Sequence, residues 1–121
     1  MVPLGEQAAG ARLASLGHMT RIVVISDDAT VSPQARTYAE YRVFAVIGRH
    51  AKRVRRVRVT LEALQGHGGD ERLRCAVAVD LERSATLHVR GTGPHIYAAI
   101  DRTVERLGAA MERQLEASRS S

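Results

Sequence analysis

In one short stretch, polar and apolar side chains alternate so regularly that the pattern predicts a β-strand with one buried face and one exposed face. Residues 56–61 read RVRVTL. Successive side chains of a β-strand point to opposite faces of the sheet. The apolar set is Val57, Val59 and Leu61, and the polar set is Arg56, Arg58 and Thr60. A chain containing this strand must cover one sheet face with a second layer and leave a cationic face to solvent.

Three further segments predict strands of the same sheet. RIVVISDD is a β-branched run that two aspartates end, and it comes first in the chain. LRCAVAVDLE and ATLHVRG follow the RVRVTL strand in the chain. QGHGGDE predicts a hairpin loop between RVRVTL and LRCAVAVDLE. The inward set is Cys75, Val77, Val79, Leu81, Leu87 and Val89, while His88 and Arg90 point outward. The glycines of GTGP indicate a turn.

Two segments predict helices. In VSPQARTYAEYRVFAVIGRH, Ser32 is suited to the N-cap and Pro33 to the first helical position, and the helix is expected to end near residues 48–52. GPHIYAAIDRTVERLGAAMERQLEA predicts a closing helix in which Tyr97 and Asp101 are one turn apart, close enough to share a hydrogen bond. Its apolar stripe is Ile96, Ile100, Val104, Leu107, Met111 and Leu115.

The order β-α-β-β-β-α predicts an α+β two-layer sandwich, in which a four-stranded mixed sheet carries two helices on one face. With aromatic residues at 3% of the chain, aliphatic side chains must form the core. We expect residues 1–19 to be a flexible N-terminal tail, residues 20–117 to be the domain, and residues 118–121 to be a frayed end.

Composition argues against several classes of protein. The single cysteine, Cys75, cannot form an internal disulfide; it fits a small core residue, the alternative being a reactive thiol. No apolar run reaches the roughly 20 residues of a membrane span, and no signal peptide is recognisable, so we expect a cytoplasmic protein without a membrane role. The five histidines lack zinc-site spacing, and no nucleophile motif is present. We therefore expect no metal, no cofactor and no enzymatic activity.

The net charge of +5 is unevenly distributed. Between Ser32 and Thr60 eight Lys or Arg residues face one acid, Glu40, which is a local excess of +7. Such a patch suits a polyanion, because each neutralised phosphate releases condensed counterions. The alternative is a solvated face in a chain that uses arginine in place of lysine.

The last third of the chain, ATLHVRGTGPHIYAAIDRTVERLGAAMERQLE, resembles the C-terminal half of short ribosome hibernation-promoting factors and ribosome-associated translation inhibitors. YAAID, residues 97–101, carries most of the likeness. VRVTL is similar to that family's second strand and IVVISDDATVSPQA to its first strand and helix entry. The resemblance implies a stress-response protein that occupies the decoding region of the small ribosomal subunit and silences idle ribosomes.

The resemblance and the charge pattern together define a candidate surface for ribosomal RNA. In this family basic contacts come from the two helices and neighbouring strand ends, and here VFAV or FAVI replaces a lysine-containing turn of the first helix. The cationic role then moves to Arg42, Arg49, Lys52, Arg53 and the strand that follows them. The candidate RNA-binding residues are Arg36, Arg42, Arg49, Lys52, Arg53, Arg55, Arg56, Arg58, Arg90, Arg106 and Arg113.

The apolar first helix leaves two further hypotheses open. Its aromatic residues either widen the stripe that packs on the sheet and second helix, or lie exposed for base stacking, a protein partner or self-association. We expect a monomer, with weak self-association through Tyr41 and Phe44 as the alternative. A general RNA-binding domain, similar to double-stranded-RNA binders, and a protein-interaction module built on this helix remain competing functions.

Overall fold

The computed structural model describes residues 11–16, 20–26, 31–65, 71–83 and 85–120. The elements in chain order are β1 (Ala11–Leu16), β2 (Thr20–Ser26), α1 (Pro33–Ile47), a 3-10 segment (Gly48–Arg53), β3 (Val54–Gln65), β4 (Glu71–Leu81), β5 (Thr86–Gly93) and α2 (Ile96–Ser120). The glycine-rich connection between β3 and β4 falls on residues 66–70, outside the described residues.

The five strands form one sheet in the order β1-β2-β3-β4-β5. The β2–β3 pair is parallel and the other three pairs are antiparallel. The α+β fold is confirmed: strands β2 to β5 form the expected mixed four-stranded sheet, and both helices contribute to one core on one of its faces.

Strand β1 corrects the expectation of a flexible tail. Ala11–Leu16 pairs antiparallel with β2, from Ala11 opposite Ile25 to Leu16 opposite Thr20. This segment contains no β-branched residue, so its sequence carries little strand signal. Pairing satisfies backbone groups that β2 would otherwise leave free at the sheet edge. Residues 1–10 and 17–19 lie outside the described residues.

Capping contacts mark both ends of α1. The Ser32 hydroxyl accepts a hydrogen bond from the Ala35 amide at 3.1 Å, and Pro33 occupies the first helical position, as expected. The backbone N–H of Gly48, at the C-cap of α1, donates to the Phe44 carbonyl. Helix α2 continues to Ser120, so the predicted domain end at residue 117 falls inside the helix.

The core lies between the helices and one sheet face, and the alternation in the sequence is confirmed by burial. Val57, Val59 and Leu61 are fully buried, whereas Arg56 and Arg58 are exposed. Four further elements contribute stripes of buried residues: Ile22 and Val24 from β2, Ala35, Ala39, Val43 and Ile47 from α1, Cys75, Val77, Val79 and Leu81 from β4, and Ile96, Ile100, Val104, Leu107, Met111 and Leu115 from α2.

Helix α2 packs against β5 at van der Waals distance because β5 carries two glycines. A Cβ atom on Gly91 would lie 2.7 Å from Thr103 Oγ1, and one on Gly93 would lie 2.9 Å from Ala98 Cβ. The expectation that both glycines form a turn is therefore wrong: they belong to a strand whose missing side chains admit the helix. Small residues on α2, including the fully buried Ala99, complete the contact.

A polar cluster joins the two helices. The Tyr38 hydroxyl donates to Asp101 Oδ1 at 2.7 Å, and its ring meets that of Tyr97 edge to face with centroids 5.1 Å apart. The hydrogen bond to Asp101 is the main cause that raises the pKa of Tyr38. Asp101 thus accepts from Tyr38 on α1, whereas the sequence suggested Tyr97 as its partner.

Replacing Ile100 by Ala tests the register of α2. Ile100 is fully buried, so we expect a loss of about 2–5 kcal/mol in the free energy of unfolding, measured by urea denaturation. Glu105→Ala, at an exposed position of the same helix, is the control and should change stability by less than about 0.5 kcal/mol. Equal effects of the two substitutions would contradict the register.

Adding a methyl group at Gly91 tests the close approach of α2 to β5. Gly91→Ala brings Cβ against the side chain and backbone of Thr103, so we expect a loss of about 1–3 kcal/mol in unfolding free energy. Gly108→Ala is the matched control, because no atom lies within 4 Å of its added Cβ. In a helix interior this control should gain about 0.5–1 kcal/mol. A neutral Gly91→Ala variant would refute the packing account.

Candidate nucleic-acid interface

Four of the predicted basic residues lie close together where the chain passes from α1 to β3. A 3-10 segment, Gly48–Arg53, makes this connection and contains no buried residue, and His50 in its middle leaves helical geometry at φ −125° and ψ 24°. Val54 then enters the core. Ile47 and Val54 thus anchor the chain in the core on both sides of the segment. The charged side chains of the segment lie exposed at the surface.

A β-bulge at the start of β3 exposes one more arginine next to this segment. Val54 pairs with Leu81 and Arg56 with Asp80, which leaves Arg55 as the extra residue of β3. The strand alternation is interrupted there, and Arg55 and Arg56 are both exposed. Four exposed cations define what we term the basic segment: Arg49, Lys52, Arg53 and Arg55.

The β4–β5 turn lies beside the basic segment. The backbone N–H of Glu82 donates to the Arg53 carbonyl at 2.8 Å. The next residue, Arg83, is exposed and has a left-handed backbone with φ 64°. Sequence reasoning missed Arg83, because its place beside Arg53 depends on the register of β3 with β4. That register follows from the apolar alternation of the two strands, which was the available signal.

The charges of the basic segment have no partners among the residues that the structure describes. None of its four side chains forms a hydrogen bond or an ion pair in this part of the chain. The segment follows the C-terminal end of α1, where cations interact favourably with the partial negative charge of the helix. The positions are thus favourable for cations and leave their hydrogen-bond donors available to an external anion.

Other predicted residues are held by contacts within the protein. Arg36 donates to the Val31 carbonyl at 3.2 Å. Arg42 lies 3.7 Å from Asp101 Oδ1, and its guanidinium is 5.8 Å from the centroid of the Tyr38 ring. Arg56 pairs with Asp80 at 3.9 Å. These three arginines are therefore partly neutralised or fixed in position.

On α2, Arg106 protects an edge of the sheet. Its guanidinium donates to the Arg90 carbonyl at 2.6 Å, and Arg102, one turn earlier, donates to the Thr92 carbonyl at 2.9 Å. Both carbonyls belong to the edge strand β5, whose free backbone groups could otherwise pair with another strand. Arg113 is exposed on the same helix, and within the described residues it has no bonded partner.

Arg58 and Arg90 lie apart from the basic segment, on the sheet face that the helices leave open. They are exposed, with Arg58 on β3 and Arg90 on β5, and the half-buried Ala76 and Ala78 lie between them on β4. The eleven predicted residues therefore do not form one surface.

The outer face of α1 is apolar. Tyr41 is 70% exposed and Phe44 is 42% exposed, whereas Tyr38 and Val46 pack against the core. A shallow hollow of about 530 Å³ is lined by Pro33, Gln34, Thr37, Tyr38 and Tyr41. The aromatic residues of α1 thus divide between the two interpretations: one ring joins the helix interface, and two remain available to a partner.

Cys75 is placed as a core residue. It is fully buried, and burial raises the pKa of its thiol to about 12. The side-chain hydrogen bond with Thr103 lowers this pKa but does not offset the effect of burial. The thiolate, the reactive form, is therefore disfavoured at neutral pH. The single proton of the Thr103 hydroxyl is shared between two backbone carbonyls, that of Ala99 at 2.7 Å and that of Cys75 at 3.1 Å.

In the described part of the chain, no group of three or more His, Cys, Asp or Glu residues has an arrangement that could hold a metal ion. No helix in the same ranges has the length and hydropathy that crossing a membrane requires.

Comparison with known proteins identifies the family. The model of the sigma 54 modulation protein / S30EA ribosomal protein family matches residues 22–119, and no curated protein matches the chain. A ribosomal subunit interface protein from Coxiella burnetii has a similar fold, with a TM-score of 0.63 and 14% identity, over 81% of this chain and 99% of that one. The N-terminal domain of Protein Y from Thermus thermophilus has a TM-score of 0.58 and 24% identity, over 74% of this chain and 92% of that one. Since the family model covers α1, strands β3 to β5 and all of α2 except its last residue, the chain belongs to the sigma 54 modulation protein / S30EA ribosomal protein family.

Proposed function

We propose that this member of a ribosome-associated family binds ribosomal RNA of the small subunit through its basic segment and inhibits translation by occupying the decoding region. The observation that carries the proposal is that the four cations of the segment are exposed and have no partners among the described residues. The partner is supported by family membership. The small subunit and the decoding region rest on the resemblance of the YAAID region.

Unpaired arginines suit RNA phosphates for two reasons. The guanidinium group presents donors in a planar fork that matches phosphate oxygens in a bidentate geometry. No ion pair among the described residues has to break before the contact forms, so the full gain from counterion release is available. Arg49, Arg53 and Arg55 meet both conditions and Lys52 meets the second, whereas Arg56 would first have to leave Asp80.

The remaining cations have secondary roles in this proposal. Arg83 lies on the turn that Glu82 links to Arg53, so it extends the basic segment toward β5. Arg113 is exposed on α2, has no bonded partner in the described ranges, and can contribute a further phosphate contact. Arg36, Arg42 and Arg106 mainly fix the protein's own structure, because each is bonded to a group within the chain.

Reversing one charge of the basic segment should weaken ribosome binding and its salt dependence. We expect Arg53→Glu to lower affinity for purified small subunits about tenfold at moderate salt and to reduce the slope of log affinity against log salt by about 1. Co-sedimentation over a series of KCl concentrations measures both quantities. The free energy of unfolding should change by less than about 0.5 kcal/mol, because the side chain is exposed.

Arg72→Glu is the matched control. Arg72 is also exposed, but it lies opposite Leu64 near the far end of the β3–β4 pair, about 30 Å along the strand from Val54. At that distance salt screens the change, so affinity should fall less than about twofold. Equal losses in the two variants would mean that net charge alone governs binding. Loss of binding when unrelated double-stranded RNA is added in equal mass would favour a general RNA-binding domain.

A second candidate function is favoured by the exposed rings of α1. Tyr41 and Phe44 form an apolar surface next to the 530 Å³ hollow, and aromatic residues are enriched in protein interfaces. A protein-interaction module would use this surface and would not depend on the basic segment. Hydrophobic contacts also lack the steep salt dependence that phosphate contacts have.

Removing both rings separates the two candidates. We expect Tyr41→Ala with Phe44→Ala to change small-subunit affinity less than about twofold and to leave the sedimentation coefficient of the free protein unchanged, because neither ring enters the core. Analytical ultracentrifugation over a range of protein concentrations provides the second measurement. A concentration-dependent increase in the wild-type sedimentation coefficient that the variant lacks would instead establish self-association through α1.

A further inference from the structure

The open face of the sheet carries a groove that the basic segment does not explain. It runs along β4, which supplies the floor through Ala76 and Ala78. Its walls are Arg58 and Thr60 from β3 and His88 and Arg90 from β5. We refer to these six residues as the sheet groove. The volume is about 540 Å³, and a smaller hollow of about 210 Å³ continues it past Ala78.

Strand register creates the groove. Ala78 lies between Arg58 and His88, and Ala76 lies between Thr60 and Arg90, so each row has a methyl group in the centre and longer side chains on both sides. The two outer strands are about 10 Å apart, since neighbouring strands are separated by about 4.8 Å. A planar ring or a sugar fits this width above the alanines.

An acid–base pair lies at each end of the groove. At one end Glu62 pairs with Arg74. At the other end Asp80 contacts Arg56 at 3.9 Å and accepts a hydrogen bond from Thr86 at 2.7 Å. A polyanionic chain that continued past either end would meet arginines that are already paired with a carboxylate. A short anionic ligand that ends between the two pairs contacts Arg58 and Arg90 without displacing a carboxylate.

Two exposed cations lie between the two ends. The guanidinium groups of Arg58 and Arg90 form no bond within the described residues. They belong to opposite walls, one row apart, and both line the space above Ala76 and Ala78. Arg74, which also lines the groove, has a buried Nε without a hydrogen-bond partner. This set of donors suits a ligand that bears phosphate.

We propose that the sheet groove binds a phosphorylated nucleoside of the size of a free nucleotide. Arg58 and Arg90 hold its phosphate groups, and the sugar or base rests on the methyl groups of Ala76 and Ala78. The volume lies within the roughly 300–1,000 Å³ typical of small-molecule sites. The site is independent of the proposed ribosomal contact, because it is formed by different residues.

Isothermal titration of the full chain with ATP tests the site, and inorganic phosphate and a twelve-nucleotide RNA serve as comparison ligands. Arg58→Gln with Arg90→Gln should weaken ATP binding at least about tenfold, since both phosphate contacts are lost. Arg53→Gln with Arg55→Gln removes the same charge from the basic segment and is the matched control. It should change ATP affinity less than about twofold.

A variant that keeps every charge provides a second, steric test. Ala78→Leu fills the floor shared by the two hollows, and it should also weaken ATP binding at least about tenfold. In the wild-type protein, ATP should shift the methyl NMR signals of Ala76 and Ala78. A denaturation curve like that of the wild type shows that the variant is folded.

Three results would overturn the proposal: no ATP binding at about 1 mM, equal losses in the sheet-groove and basic-segment variants, or normal ATP binding by Ala78→Leu. RNA that binds more tightly than ATP and depends on Arg58 and Arg90 would identify an RNA surface instead. Loss of ATP binding with intact ribosome co-sedimentation supports a separate ligand site. Normal ATP binding with lost ribosome co-sedimentation, in a variant of the basic segment, also supports two separate sites.

Discussion

The close contact between α2 and β5 determines how the rest of the fold is arranged. Gly91 and Gly93 leave room for the helix backbone, and the Thr103 hydroxyl also lies 3.1 Å from the Cys75 carbonyl on the neighbouring strand β4. With α2 held over β4 and β5, α1 has one place to bury its own stripe, over β2 and β3 and against α2. The opposite sheet face is then left without a second layer, which is why arginine is tolerated along it.

The same arrangement decides where the basic segment lies. Strands β2 and β3 are parallel and adjacent, with Arg21 opposite Arg56, so both start at the same end of the sheet. The helix between them must return the chain to that end, as a crossover connection requires. Arg49, Lys52 and Arg53 therefore lie where α1 ends, and the backbone N–H of Glu82, on the β4–β5 turn, donates to the Arg53 carbonyl. The topology of the fold thus places these cations together at one end of the sheet.

Local pattern sufficed for much of this fold, and it failed where a partner from elsewhere in the chain decides the outcome. Alternation identified β3 and β4, and Ser32 with Pro33 marked the start of α1, because these signals depend on near neighbours. Strand β1 was missed because edge pairing, and not propensity, stabilises it. The strand role of Gly91 was missed because the atom that it accommodates belongs to Thr103 on α2.

Availability to a ligand could not be predicted for the same reason. In the sequence, Arg42, Arg56 and Arg58 are equivalent members of one basic run. In the fold, Asp101 lies beside Arg42, Asp80 pairs with Arg56, and Arg58 has no partner within the described residues. An arginine that is already paired gains less from a phosphate, because binding must replace an existing interaction. The pairing of each cation, and not the local density of positive charge, therefore separates the residues that stabilise this fold from those that remain free to bind.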